Sequence, residues 1–254
     1  MGNILGIINQ KGGVGKTTTA VNLAACLAEK GQKTLLVDCD SQGNATSGLG
    51  IDKDELTCSL YEVMEGQAEA RDAVIKTDIK KLHILPSSVS LAGIELTLVD
   101  RKEREFALKK SLIPLKNQYD YIILDCPPSL GLMTVNVLAA SDAILIPIQA
   151  EFYALEGMSQ LMDSVRAVQC GINPSLQIEG VLLTMYNGRT NLSIQVAEKV
   201  KKLFGDKVFH TFIPRSVRLS EAPGFGEPIV TYDPKSKGAE AYRALCREVL
   251  RRER

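Results

Sequence analysis

Six short runs along the chain are apolar at nearly every position: residues 4–8, 34–37, 82–85, 121–124, 143–148 and 178–183. A strand with one wet face alternates polar and apolar residues, so unbroken runs predict strands covered on both faces. Between them lie longer stretches with helical spacing. Ala20, Leu23, Ala24, Leu27 and Ala28 share one helical face, and Gly31 follows as a C-terminal stop. A helix is predicted over 191–204, with Val196, Val200, Leu203 and Phe204 turned inward. Another is predicted over 238–254, its face of Ala241, Ala244, Leu245 and Val249 packing on the domain and Arg243, Arg247 and Arg251 opposite. Strands alternating with helices predict an α/β fold, a mainly parallel sheet flanked by helices on both faces. Residues 52–81 are charged and read as surface helices and loops without chemistry. With no repeat, low-complexity tract or linker, residues 1–254 are expected to form a single domain, long enough for a proper core.

Composition narrows the function classes. Acidic and basic residues balance at 30 each, so nucleic-acid binding would have to come from a local patch. The six cysteines are scattered without a C-x-x-C pair, and most fall in apolar runs, which predicts small buried residues in a reducing cytosol. Two histidines are too few for a zinc site or a conventional Ser–His system. The chain opens straight into a strand pattern without a leader, and no apolar run approaches the roughly 20 residues of a membrane span. A soluble cytoplasmic protein is the expectation.

The first strand and first helix are joined by Asn9-Gln10-Lys11-Gly12-Gly13-Val14-Gly15-Lys16-Thr17-Thr18. There an anion can sit on a helix N-terminus, wrapped by backbone N–H groups, and glycines let the backbone approach without a Cβ clash. The Gly-Lys-Thr ending predicts binding of ATP with Mg2+: Lys16 reaches the β- and γ-phosphates and the Thr17 hydroxyl ligates magnesium. The pattern departs from G-x-x-x-x-G-K-[ST] at position 10, where glutamine replaces the first glycine and Lys11 then opens the loop.

Acidic residues end two of the strands. Asp38 and Asp40 share one parity at the end of the second, where open parallel sheets place their ligands, so the pair could face the γ-phosphate and its magnesium. Either alone could be a helix cap. The apolar run Tyr121-Ile122-Ile123-Leu124 ends in Asp125, which would hold magnesium, and Cys126-Pro127-Pro128-Ser129-Leu130-Gly131 follows as a segment able to sense the γ-phosphate. Thr184-Met185-Tyr186-Asn187 closes another strand and Phe212-Ile213-Pro214-Arg215 a later one; Asn187-Gly188 could equally be an ordinary turn. From 186 to 218 the balance turns basic, with Arg189, Lys199, Lys201, Lys202, Lys207, Arg215 and Arg218 against Glu198 and Asp206. Such a stretch is either a solvated face or a surface for phosphate backbones.

The loop with its second lysine resembles the deviant Walker A motif of the ParA/MinD group of P-loop ATPases. Together with Asp38-Cys39-Asp40-Ser41-Gln42-Gly43-Asn44-Ala45-Thr46, Asp125-Cys126-Pro127-Pro128-Ser129 and the run from Ile213 to Pro223, it is similar to the chromosome-partitioning ParA branch of Soj type over nearly the whole chain. That resemblance implies that Lys11 reaches across an ATP-dependent homodimer to the partner's nucleotide. It implies that Asp40 positions the attacking water and that Asp38 acts near the metal and the loop. Asn187 would hydrogen-bond the base and Pro214 form part of the purine slot. The implied cycle is an ATP-closed dimer that binds DNA non-specifically, Arg189 and Arg218 foremost, until a ParB-like partner stimulates an otherwise slow hydrolysis. Larger plasmid ParA proteins carry an N-terminal DNA-binding extension, for which a loop starting at residue 11 leaves no room. A MinD-like membrane-cycling ATPase would need a lipid-gripping C-terminal helix, and the nitrogenase iron-protein branch would need cluster-bridging cysteines. A metabolic P-loop enzyme, such as a kinase or amidoligase, would need an acceptor pocket.

Overall fold

The structure, a computed structural model, describes residues 2–151 and 157–252. Seven strands form one sheet: β1 Asn3–Ile7, β2 Thr34–Asp38, β3 Ile75–Lys76, β4 Leu82–Leu85, β5 Tyr121–Asp125, β6 Ala143–Gln149 and β7 Gln177–Thr184. Their order is β3-β4-β2-β5-β1-β6-β7, and every pairing is parallel except that of β3 with β4. The α-helices in the first half are α1 Lys16–Glu29, α2 Asn44–Ser47, α3 Leu60–Glu65, α4 Ala70–Ala73, α5 Ile94–Thr97 and α6 Ala107–Leu112. In the second half they are α7 Leu132–Ala140, α8 Met158–Gly171, α9 Asn191–Phe204, α10 Val217–Glu221, α11 Ile229–Tyr232 and α12 Lys237–Arg252.

The unbroken apolar runs become strands because each strand feeds two cores. Leu35 and Val37 join the cluster on one face of the sheet, while Leu36 between them joins the cluster on the other. Every residue of β2 and of β5 is buried. Helix α1 ends as its sequence predicts: Gly31 takes φ 89°, and the N–H groups of Gly31 and Gln32 return to Ala28 and Leu27. Helix α12 lies on α1 and buries Tyr242, Leu245, Cys246 and Val249. Tyr242 meets the Thr19 hydroxyl at 3.3 Å.

Several expectations change. Leu203 is 65% exposed, because the buried line of α9 runs through Ser193, Val196 and Val200 toward Phe204, one step of about 100° away. Residues 212–215 form no strand. The chain there runs beside β7, with the N–H groups of Phe209 and Ile213 bonded to the carbonyls of Val181 and Leu183, and Pro214 has no N–H to extend a ladder. The tail's inner face is built on Tyr242 and Cys246, with Ala241 and Ala244 only half-buried. Arg243 is engaged rather than solvated, at 2.8 Å from Glu29 of α1. The 52–81 stretch is more than surface: Ser59 and Glu62 make a capping box that starts α3, and Leu60, Val63 and Met64 enter the core. Cys26, Cys39, Cys126 and Cys246 are buried, Cys58 is half-buried and Cys170 is exposed. Among the described residues no helix is long and apolar enough to cross a membrane.

Candidate functional site

At the carboxyl end of β1 the chain turns through Asn9–Thr18 into α1. Gly13 (φ 73°) and Gly15 (φ 88°) adopt the left-handed conformation, and a Cβ on Gly12 or Gly13 would meet no atom within 4 Å. Bare backbone therefore faces open space. Gly15 caps α1 without a side-chain hydrogen bond, so the N–H groups of the first turn point into the same space with the positive end of the helix behind them. Neighbouring strands hold the loop in place. Thr184 at the end of β7 donates to the Val14 carbonyl at 2.8 Å, and Asn9 donates to the Pro147 carbonyl of β6 at 2.7 Å. Lys16 is buried at the first position of α1, its ammonium 2.8 Å from the Lys11 carbonyl. Burial lowers its pKa, with Asp125 and Asp40 among the groups pulling the other way.

Parallel register places Asp125 of β5 between Ile7 of β1 and Asp38 of β2, so both carboxylates sit at one end of the sheet beside the loop. Asp125 is fully buried, and neither of its oxygens has a hydrogen-bond partner of normal geometry. Burial first, and then the neighbouring Asp38, raise its pKa well above the carboxylate range; the Thr17 hydroxyl and the Lys16 ammonium act against that shift. Asp38 differs. One of its oxygens accepts from the backbone N–H (2.8 Å) and the hydroxyl (2.7 Å) of Thr46, and the other from the N–H of Asp40 (3.2 Å). Burial still pushes it up to about 6. Asp40 lies past the strand end, in a turn, where it accepts from the Gln42 N–H at 3.0 Å. The shared parity expected for Asp38 and Asp40 thus stops at Asp38: the first acid holds Thr46 of α2, and the second sits in the turn before it.

A fully buried carboxylate with two unclaimed oxygens, next to a threonine hydroxyl and a cradle for anions, suits a hard divalent cation with oxygen ligands. Thr17 and Asp125 fit that role, whereas the oxygens of Asp38 are already engaged. No cluster of three or more His, Cys, Asp or Glu with metal-binding geometry occurs among the described residues. A small hydrated cation completed by phosphate oxygens requires none.

Beside the loop lies a cavity of ≈ 330 Å³ bordered by Gly15, Thr18, Met185, Pro214, Arg215 and Pro223. Pro214, expected in the purine slot, is part of that lining. Asn187 is not in the lining; it is exposed, its side chain accepting from the Arg189 N–H (3.1 Å) and its carbonyl from the Thr190 N–H (3.1 Å). The turn reading of Asn187-Gly188 describes that geometry. Met185 and Arg215 border the cavity without having been singled out. Met185 has φ 49°, uncommon for a residue with a side chain, and no sequence signal marks such a conformation at a methionine. A larger cavity, ≈ 500 Å³ between α3 and α6, shares no residue with the loop or the acids.

Arg189, Lys199, Lys201 and Lys202 are all exposed, the lysines on α9 and Arg189 just before it. Arg218 is exposed but answered by two acids, Glu221 at 3.1 Å and Asp233 at 3.6 Å. Its charge is less available than that of Arg189.

The family described as "AAA domain" matches residues 2–178. The chain is 57% identical over 249 residues to the sporulation initiation inhibitor protein Soj of Bacillus subtilis, covering 98% of each. It is 52% identical over 253 residues to the chromosome partitioning protein ParA of Myxococcus xanthus, covering all of this chain and 89% of that protein. Among solved structures it is similar to cobyrinic acid a,c-diamide synthase from Mycobacterium smegmatis with bound ATP analog and magnesium. That likeness has a TM-score of 0.91 and 38% identity, over 100% of this chain and 96% of the other.

Proposed function

We propose that this chain, which belongs to the ParA/Soj family of chromosome-partitioning P-loop ATPases, works as an ATP-gated switch built on one domain over residues 1–254. The observation that carries this reading is Asp125, a fully buried carboxylate with both oxygens unclaimed, beside Thr17 and under a glycine cradle. The backbone from Gly12 to Thr18 wraps the phosphates of ATP, and Lys16 pairs with the β- and γ-phosphates. Thr17 and Asp125 would hold magnesium, which would supply positive charge against the phosphate oxygens. Asp38 holds switch I through Thr46, and Asp40 at its base orients the attacking water. Pro214 borders the slot for the purine. Lys11 completes the site of a second copy, adding positive charge where the leaving phosphate becomes negative, as an arginine finger supplied in trans does.

Hydrolysis is slow in the isolated chain because no strong general base is evident beyond Asp40 among the described residues. The closed dimer lays Arg189, Lys199 and Lys202, with Arg218 behind them, along DNA phosphates without reading bases, and the protein is carried on the nucleoid. A ParB-like partner ends the state by stimulating hydrolysis. A MinD-like membrane cycle is less well supported, since the apolar residues of α12 are used on α1. An amide-forming synthase is the reading favoured by the name of the Mycobacterium smegmatis relative, and it predicts turnover that requires a carboxylic acid acceptor.

The test is size-exclusion chromatography with MgATP on the wild type and on Asp40→Ala, followed by DNA binding across a salt series. The expected result is a dimer that persists in Asp40→Ala and binds DNA with an affinity falling steeply with salt. A monomer under all conditions, or DNA binding indifferent to nucleotide, would refute the switch. Acceptor-dependent turnover without DNA would favour the synthase.

A further inference from the structure

Position 10 has glycine in the standard loop pattern, and the glutamine found here makes contacts that the reaction above does not use. Its amide Nε2 donates to the Gly157 carbonyl at 2.7 Å and lies 3.4 Å from Gln160 Oε1, both at the start of α8. The approach is close enough that a Cβ on Gly157 would collide with Gln10 Nε2. Gly157 also has φ 79°, so a residue with a side chain is doubly disfavoured there. Next to it, Asn9 donates to the Pro147 carbonyl and accepts from the Lys11 N–H at 3.0 Å. The Lys11 carbonyl takes the Lys16 ammonium at 2.8 Å. Residues 9–11 are thus tied on one side to β6, on another to α8 and on the third to α1.

We propose that Gln10 is a positioning residue for Lys11: the Gln10–Gly157 bond moors the shoulder of the phosphate loop to α8 and fixes the direction in which Lys11 leaves the loop. The inference rests on the reading of Lys11 as the lysine that completes a second copy's site. A glycine at position 10 would remove the tie to α8 and leave the ties of Asn9 to β6 and of the Lys11 carbonyl to Lys16. The long Lys11 side chain would then spread over more directions, and its chance of meeting a phosphate on the facing subunit would fall. Phosphate binding within the subunit depends on the amides after Gly12 and on Lys16, which Gln10 does not touch. The mooring therefore acts on turnover and leaves nucleotide affinity alone.

The experiment measures steady-state ATP hydrolysis and calorimetric ADP affinity for Gln10→Ala, Gln10→Glu and Gly157→Ala. It adds the doubles Gln10→Ala/Gly157→Ala and Gln10→Ala/Lys11→Ala. Loss of one hydrogen bond predicts a kcat about fivefold to tenfold lower in Gln10→Ala, with KM and ADP affinity within about twofold. Gln10→Glu keeps the shape but offers only acceptors to the Gly157 carbonyl, and should fall at least as far. Gly157→Ala should lower kcat similarly, and the Gln10/Gly157 double should be no worse than its worse single, because both lose the same bond. On Lys11→Ala, removing Gln10 should cost nothing further. Unchanged kcat in Gln10→Ala, a rise in KM with kcat preserved, or full additivity with Lys11→Ala would each overturn the mooring. Wild-type turnover in Lys11→Ala itself is a separate result, which overturns the reading of Lys11.

Discussion

Replacing Thr46 by valine should destabilise the protein far more than its size suggests. Thr46 is completely buried, and its hydroxyl is in the middle of a short relay. It donates to Asp38 at 2.7 Å and accepts from the Ser87 N–H at 3.0 Å, joining the end of β2 to the segment after β4. Valine has nearly the same volume, so no cavity forms and the effect is polar. A hydrogen bond to a carboxylate contributes about 1.5–3 kcal/mol, and a buried N–H left without a partner costs about 1–3 kcal/mol. Asp38 keeps the Thr46 N–H at 2.8 Å, which limits the first loss. A total of about 3 kcal/mol is expected for Thr46→Val. Thr46→Ser keeps the hydroxyl and removes one methyl, costing about 1 kcal/mol. Urea unfolding of the three proteins, followed by circular dichroism, gives the comparison through their midpoints. A Thr46→Val stability within about 0.5 kcal/mol of Thr46→Ser would refute the relay. If the proposed switch holds, the relay also anchors its first moving segment, so hydrolysis should fall in Thr46→Val while ADP affinity measured by calorimetry holds.

Four further outcomes follow from the same geometry. The hydrogen bond from Arg243 holds Glu29 below the usual carboxylate range, so its contribution is present above the unfolded pKa near 4.3 and is lost as pH falls through the lower folded value. Both side chains are partly exposed, so the gap between wild type and Glu29→Gln should be below about 1 kcal/mol at pH 7 and close in thermal unfolding as pH falls through that lower folded value; a gap independent of pH would contradict this. Arg252 donates to the carbonyls of Glu179 (2.8 Å) and Val208 (3.1 Å) and lies over the Phe209 ring at 4.1 Å, so Arg252→Ala should cost about 1–2 kcal/mol in the same assay, and Arg251→Ala almost nothing. Lys16→Ala should abolish measurable ATP binding by calorimetry, and retained tight affinity would contradict the loop assignment. Arg189→Glu should lose DNA in a filter or fluorescence assay while still dimerising; unchanged DNA affinity would show that the patch is misplaced.

What could be read without a structure was mostly what local chemistry dictates. Unbroken apolar runs can be covered only on both faces, which made the parallel sheet and six of its strands legible. Glycines ahead of Lys16 and Thr17, between a strand and a helix, leave few conformations other than an anion cradle. The Gly31 stop and the span of α9 also follow from short-range periodicity. The two-residue β3 was not legible, because a strand so short carries no period and depends on its partner β4.

Tertiary structure decided everything that depends on which strands are neighbours. Asp38 and Asp125 are 87 positions apart in the chain and become adjacent only because β2 pairs with β5 in register. Their division of labour, one carboxylate engaged by Thr46 and the other left unclaimed, has no counterpart in the two sequences Val-Asp and Leu-Asp. Asn187 and Pro214 both looked like base contacts, yet only Pro214 borders the cavity, since the Asn187 side chain is claimed by the turn before α9. The same holds for the arginines, equal in sequence, of which Arg189 is open while Arg218, Arg243 and Arg252 are engaged by acids or carbonyls. Sequence alone determined the kind of chemistry, because backbone and residue type suffice to cradle a phosphate. The fold assigned the roles, because burial and partnership are properties of neighbours that the chain brings together only by folding.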